Sequence, residues 1–228
     1  GNYNTVVGDE AGTAITTADY TTAVGYAAGT AVTTGRKNTL IGGLAGDGLT
    51  TADDNTAIGV SALGATTTGA SNTAVGSSAL QNNTTASNNT AVGYTALLAN
   101  TTGQQNTAVG GLCLDANTTG DYNNAFGYLA LTRNTTGVRN TALARSTLET
   151  NTTGSYNVAV GMDALAANTT ASNNTAVGYS ALLRNTTGTD NTAVGESSGA
   201  AVTTGINNTL IGAEAGDAIT DADHNTAV

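Results

Sequence analysis

The chain has 228 residues, a length that ordinarily suggests one or two globular domains, yet 30 Gly, no Pro, no Trp, one Phe and one Met leave few large apolar side chains for an ordinary core. Only 10% of residues are charged, and their spacing is fixed, which sets the chain apart from ordinary disordered segments. The 6 basic and 16 acidic residues give a net charge of −10, so no basic stripe exists for a nucleic acid backbone.

A tetrad close to Thr-Ala-Val-Gly ends at Gly8, Gly25, Gly42, Gly59, Gly76, Gly93, Gly110 and Gly127, and again at Gly161, Gly178, Gly195 and Gly212. Every interval is a multiple of 17 residues, and Ala144 stands at the missing member. Counted from Asn4, thirteen coils run through His224 without insertion or deletion, with the consensus N-T-A-V-G-x-x-A-L-x-x-N-T-T-G-x-x. So short a unit cannot hold a helix–turn–helix repeat, and Thr, Val, Ile and regular Gly point to strands and turns. The predicted fold is all-β: a parallel β-solenoid (β-roll or β-helix) of thirteen coils. Stacked at about 4.8 Å per rung, they would make a rod of roughly 60 Å.

Taken in order, residues 4–54 form three coils with Gly at position nine and an aliphatic at position twelve, the pairs Gly12/Ile15, Gly29/Val32 and Gly46/Leu49. Residues 55–190 form eight coils with Leu at nine and Asn or Thr at twelve. One of them is irregular across Thr141–Thr150, where Arg139 and Arg145 flank Ala144. Residues 191–224 return to the first type with Gly199/Val202 and Gly216/Ile219. Each coil thus carries one large aliphatic at one of two sites, as two variants of one close-packed core would. The segment 38–59 is echoed at 208–228, an offset of 170 residues or ten coils. Residues 1–228 therefore read as one continuous repeat domain, cut at both ends from a longer protein.

Position four is Val, Ile, Leu or Phe in every coil, as at Val7, Ile41, Phe126 and Leu143. Position three, on the opposite strand face, is also apolar, as at Ala23 and Leu40. A strand apolar on both faces is normally buried on both. A thin coil has little chain to cover the second face, so several chains are expected to pack side by side. Position eight is small throughout, and Cys113 there reads as a buried substitute for Ala rather than a nucleophile.

Asn opens nearly every coil and Thr follows, which suggests ladders of stacked side chains along the axis. The N-x-T matches at Asn100, Asn117, Asn134, Asn151, Asn168 and Asn185 are forced by the repeat and are weak as glycosylation signals. Paired threonines such as Thr33-Thr34 and Thr101-Thr102 raise an ice-binding array, but neighbours on an extended strand face opposite ways. All eight tyrosines fall in two columns: Tyr26, Tyr94, Tyr128 and Tyr179 at position six, and Tyr3, Tyr20, Tyr122 and Tyr156 at position seventeen. They read as cover over coil corners, and the position-six set is the candidate contact stripe for a carbohydrate or a protein surface. Asp47, Asp53, Asp54, Asp217, Asp221 and Asp223 cluster in the Gly-type coils. They read first as solvated turn acids, with calcium as the alternative although the spacing does not match the nonapeptide calcium repeat. No paired carboxylates, Cys-x-x-Cys or phosphate loop is present, and lone His224 has no catalytic partner in the pattern; the chain does not read as an enzyme and calls for no cofactor. No apolar run approaches the ~20 residues of a membrane span.

The strings at Asn89–Gly103 and Asn174–Gly188 resemble repeats of phage tail-fibre and bacterial surface proteins. They are also similar to the head repeats of YadA-type trimeric autotransporter adhesins, although the 17-residue coil is longer than the one usual there. That resemblance implies a left-handed parallel β-roll, three chains to a rod, on a cell or virion surface. The expected function is a structural or adhesive fibre shaft, extracellular, with copies of itself (a homotrimer or filament) and a surface glycan or receptor as partners. The alternative is a repetitive ligand-binding solenoid for ice or carbohydrate.

Overall fold

The structure, a computed structural model, describes all 228 residues and contains no helix. It divides into two compact units, Gly1–Thr119 and Gly120–Val228, both built from the same 17-residue β-solenoid coil. The first holds β1 (Thr5–Val7), β2 (Thr22–Val24), β3 (Thr39–Ile41), β4 (Thr56–Ile58), β5 (Thr73–Val75), β6 (Thr90–Val92) and β7 (Thr107–Val109), each paired in parallel with the next. The second holds β8 (Asn124–Phe126), β9 (Thr141–Leu143), β10 (Val158–Val160), β11 (Thr175–Val177), β12 (Thr192–Val194), β13 (Thr209–Ile211) and β14 (Thr226–Ala227), paired the same way. Every pairing joins residues 17 apart, as Thr73 with Thr90 and Ala159 with Ala176.

Each coil has only one regular strand, three residues long, because the sequence breaks it at once. Gly at position five has φ of 124–140°, a region closed to most side chains, and Ala144 is held there at 125°. A Cβ on Gly59 would lie 2.5 Å from the carbonyl oxygen of Gly76 in the next coil, so space as well as torsion favours glycine in this column. Positions seven, nine and seventeen are also left-handed, mostly in non-Gly residues such as Leu63 (φ 53°), Ser78 (58°) and Asn88 (62°). Such residues cost roughly 1–2 kcal/mol each relative to the right-handed form. They are held by coil-to-coil backbone bonds, for example Leu63 N–H to Ala79 O at 3.0 Å and Asn88 N–H to Ala70 O at 3.1 Å.

The strand faces resolve the two-sided apolar pattern. Position three points inward and is fully buried in β2 to β13, whereas positions two and four point out and are at least partly exposed. Position eight is also buried in every coil but the last, where Ala215 is partly exposed. The polar exceptions at this position bond backbone carbonyls: Thr147 Oγ1 donates to Ala144 O or Gly161 O, both 2.9 Å away, and Ser198 Oγ donates to Leu210 O at 2.8 Å.

The exchange between positions nine and twelve proves to involve position three as well. Leu40 fills the space left by glycine in two coils: a Cβ on Gly29 would lie 2.6 Å from Leu40 Cδ1, and one on Gly46 would lie 2.7 Å from Leu40 Cδ2. Leu210 does the same over Gly199 and Gly216, at 2.7 Å for both. In the Leu-type coils Ala at position three makes room for Leu at nine, as with Ala91 and Leu97, both fully buried. The two coil types are therefore two fillings of one fixed internal volume.

Two internal asparagine ladders satisfy most of the polar side chains of the core. At position one, Oδ1 accepts the backbone N–H of the next coil's Asn, as Asn55 Oδ1 from Asn72 N and Asn157 Oδ1 from Asn174 N, both 3.0 Å. At position twelve, Nδ2 donates to the Oδ1 of the preceding coil, as Asn100 to Asn83 at 3.0 Å and Asn168 to Asn151 at 2.7 Å. Both ladders meet at the carbonyl of position fifteen: Gly103 O accepts from Asn89 Nδ2 at 3.0 Å and Asn100 Nδ2 at 2.9 Å. Thr66 ends the second ladder on one side by accepting from Asn83 Nδ2 at 3.2 Å. On the other side Val202 occupies the column, and Asn185 Oδ1 is buried without a partner.

Candidate interaction surfaces

Three outward columns bear on function. The first is the sheet face of positions two and four. Thr stands at position two in every strand except for Asn124 and Val158, and Val or Ile stands at position four except for Phe126 and Leu143. In-register pairing stacks like on like, giving each unit a column of hydroxyl-bearing and a column of aliphatic β-branched side chains. Sequence reasoning identified both columns but not which strand face turns inward. The signal was present in the coupling of Leu40 to Gly29 and Gly46, since only a buried side chain must trade volume with its neighbours.

The tyrosines border this face. Tyr26, Tyr94, Tyr128 and Tyr179 follow the position-five glycine and are all exposed, between 48% and 63%. On the other border Tyr3 and Tyr20 stack with ring centres 4.9 Å apart. Arg139 lies between Tyr122 and Tyr156, 5.3 and 5.5 Å from the ring centres, and its Nη1 donates to Tyr156 Oη at 2.8 Å. Position seventeen is thus partly self-associated along the coils, while the position-six tyrosines make no ring contact with one another.

The second column is threonine at positions thirteen and fourteen. The two neighbours play different parts, as strand alternation suggests, although the segment is a bend rather than a strand. At position thirteen the hydroxyl donates to the next coil, as Thr101 Oγ1 to Thr118 O and Thr152 Oγ1 to Thr169 O, both 3.0 Å. Position fourteen is exposed, as at Thr34, Thr102 and Thr153. The hydroxyl ladder of the coil is therefore built at position thirteen, and Thr at position two faces outward instead.

The third surface holds the acids, which are dispersed: no three His, Cys, Asp or Glu side chains come close enough to share a metal ion. Position-sixteen acids cap the backbone of the preceding coil, with Asp53 Oδ1 accepting from Arg36 N at 2.7 Å and Asp223 Oδ1 from Ile206 N at 2.8 Å. Asp54 pairs with Lys37 at 3.9 Å and Asp221 Oδ1 accepts from Thr220 Oγ1 at 3.1 Å. Asp47 and Gly64 line an open notch of about 250 Å³ with Leu44, Ser61 and Gln81. Burial raises the Asp47 carboxyl above its usual range, with its own and the Gly48 amides pulling the other way. A second notch of about 240 Å³ lies between Arg184 and Asp217.

The remaining sequence candidates are structural in their placement. Cys113 is fully buried, and burial pushes its thiol up to about 12, so little nucleophilic thiolate forms in the folded chain. The six N-x-T asparagines are fully buried in the position-twelve ladder, out of reach of a modifying enzyme while the chain is folded. His224 is exposed, and the irregular coil around Ala144 keeps its strand, its backbone bonds and a contact of Arg145 Nη2 with Met162 Sδ at 3.4 Å. Comparison of the chain with protein-family models, with curated proteins and with solved structures found no match.

Proposed function

We propose that the chain is a non-catalytic structural or adhesive element of a fibre on a cell or virion surface, with copies of itself as its first partners. The observation that carries this reading is the continuity of the internal ladders. In each unit the same asparagine and threonine bonds recur from coil to coil. A catalytic centre needs a local departure from repetition, and the structure offers an Ala at a Gly position and two shallow notches. Repetition instead favours stiffness, since each coil is supported by its neighbours and stability grows by nearest-neighbour terms.

The competing reading, a ligand-binding solenoid for ice or carbohydrate, finds support in the exposed position-six tyrosines and the regular threonine columns. The two separate on a glycan array combined with a thermal-hysteresis assay. The shaft reading predicts no reproducible saccharide capture and no hysteresis. A saccharide signal lost on replacing Tyr26 and Tyr94 with Ser would contradict it.

A further inference from the structure

The outward sheet face is the place where a −10 chain carries almost no charge. Neither position two nor position four holds a charged residue in any of the thirteen coils or in the Asn225–Val228 segment that follows them. The bordering columns, six and seventeen, hold four acids (Asp9, Asp54, Asp190, Glu196) against three bases (Lys37, Arg139, Arg145). The other 12 acids and 3 bases lie elsewhere on the coil, so nearly all of the net charge is on the other sides. A second copy of so acidic a chain approaches with least repulsion through this face.

The face is also shaped for contact. Its apolar column includes Ile41, Ile58 and Phe126, all about two-fifths exposed, and tyrosines border it on both sides. An apolar centre with aromatic and arginine side chains around it is the composition that distinguishes interfaces from ordinary surface. Seven strands at about 4.8 Å and three residues at about 3.3 Å give each unit a face of roughly 330 Å². Per unit that is about two-fifths of the ~800 Å² each partner gives to a standard interface, before the bordering tyrosines are added.

We infer that two copies of the chain associate face to face through positions two and four, with their β-branched columns interdigitating. The contact is isologous, each copy using the same patch, with the sheets about 10 Å apart. It rests on the shaft reading and specifies its seam: a pair of chains joined through their outward strand faces.

The test is sedimentation velocity on the full 228-residue chain over a range of concentrations. Wild type is expected at twice the 22.3 kDa chain mass. Val75→Lys with Val177→Lys places charge at partly exposed positions of the face and is expected to weaken association at least tenfold, with an unchanged circular dichroism spectrum. Should that variant fail to fold, Thr90→Arg with Thr192→Arg replaces it. Thr85→Lys with Thr153→Lys, on the exposed position-fourteen column, is expected to leave the pair intact. A single-chain mass at every concentration, a threefold mass, or a pair broken by the position-fourteen variant but not by the face variant would overturn the inference. A monomer silent on the glycan array overturns the seam alone, whereas saccharide capture dependent on Tyr26 and Tyr94 overturns the shaft reading itself.

Discussion

Leu40 and Gly46 occupy one volume: a Cβ on Gly46 would lie 2.7 Å from Leu40 Cδ2 and 2.5 Å from Leu49 Cδ1. Leu40→Ala opens a cavity over both Gly29 and Gly46 and is expected to cost about 2–5 kcal/mol. Gly46→Leu alone overpacks the coil by about 1–3 kcal/mol or more. The triple change Leu40→Ala, Gly46→Leu, Leu49→Asn imitates a Leu-type coil and should be much less harmful than the single effects sum to. Urea midpoints for the three single variants and the triple variant check this through their non-additivity.

The asparagine ladder makes a graded prediction. Asn151 donates to Asn134 Oδ1 at 2.8 Å and accepts from Asn168 Nδ2 at 2.7 Å, so Asn151→Leu removes two buried ladder bonds and leaves Asn168 Nδ2 only its bond to Ala171 O at 3.1 Å. Asn185 donates to Asn168 Oδ1 at 3.3 Å, and its own Oδ1 has no partner. Asn185→Leu should therefore be milder by about 1–3 kcal/mol, the cost of one unsatisfied buried group. Equal losses for the two variants in urea unfolding would remove the ladder from the account.

Ala144 is the one side chain in a column of glycines, at φ 125°. Ala144→Gly should stabilise the chain by about 1–3 kcal/mol by relieving that strain. Gly59→Ala should do the reverse, because its Cβ would meet the Gly76 carbonyl at 2.5 Å. Thermal unfolding of the two variants gives opposite shifts if the column is glycine for these reasons.

Cys113 supplies a pH signature. Its thiol ionises at about 12 in the folded chain against 9.0 without burial. Above pH 9 the unfolded state binds fewer protons than the folded one, so this group's stabilisation is full below pH 9 and is lost as pH rises towards 12. The slope is at most about 1.4 kcal/mol per pH unit. Cys113→Ala, which restores the usual residue of position eight, should remove that component from the alkaline limb of a urea-midpoint-against-pH curve. The native thiol should also resist a disulfide reagent at pH 8 until the chain unfolds.

Much of the coil was legible in the sequence because a 17-residue period shows the same constraint thirteen times. The Gly column at position five, the small residue at position eight and the exchange between Leu63-type and Gly46-type coils all follow from packing that repeats without change. What the pattern left open was the inward face of the strand, since Ala91 and Val92 are both apolar and a three-residue strand has too little alternation to choose. Nor did it show that Asn89 and Asn100, eleven residues apart, share the Gly103 carbonyl, because that meeting depends on left-handed turns at Thr95 and Leu97. The position-six tyrosines were found as a column, but their place beside the outward Thr and Val columns became visible only with the coil closed.

The proposed shaft role rests on coils that each support the next, and pulling the chain from its two ends in optical tweezers tests this most directly. The account predicts release in discrete steps whose contour lengths are multiples of 17 residues, roughly 58 Å each at about 3.4 Å per residue. Smooth extension at low force, or release in lengths unrelated to the coil, would contradict it.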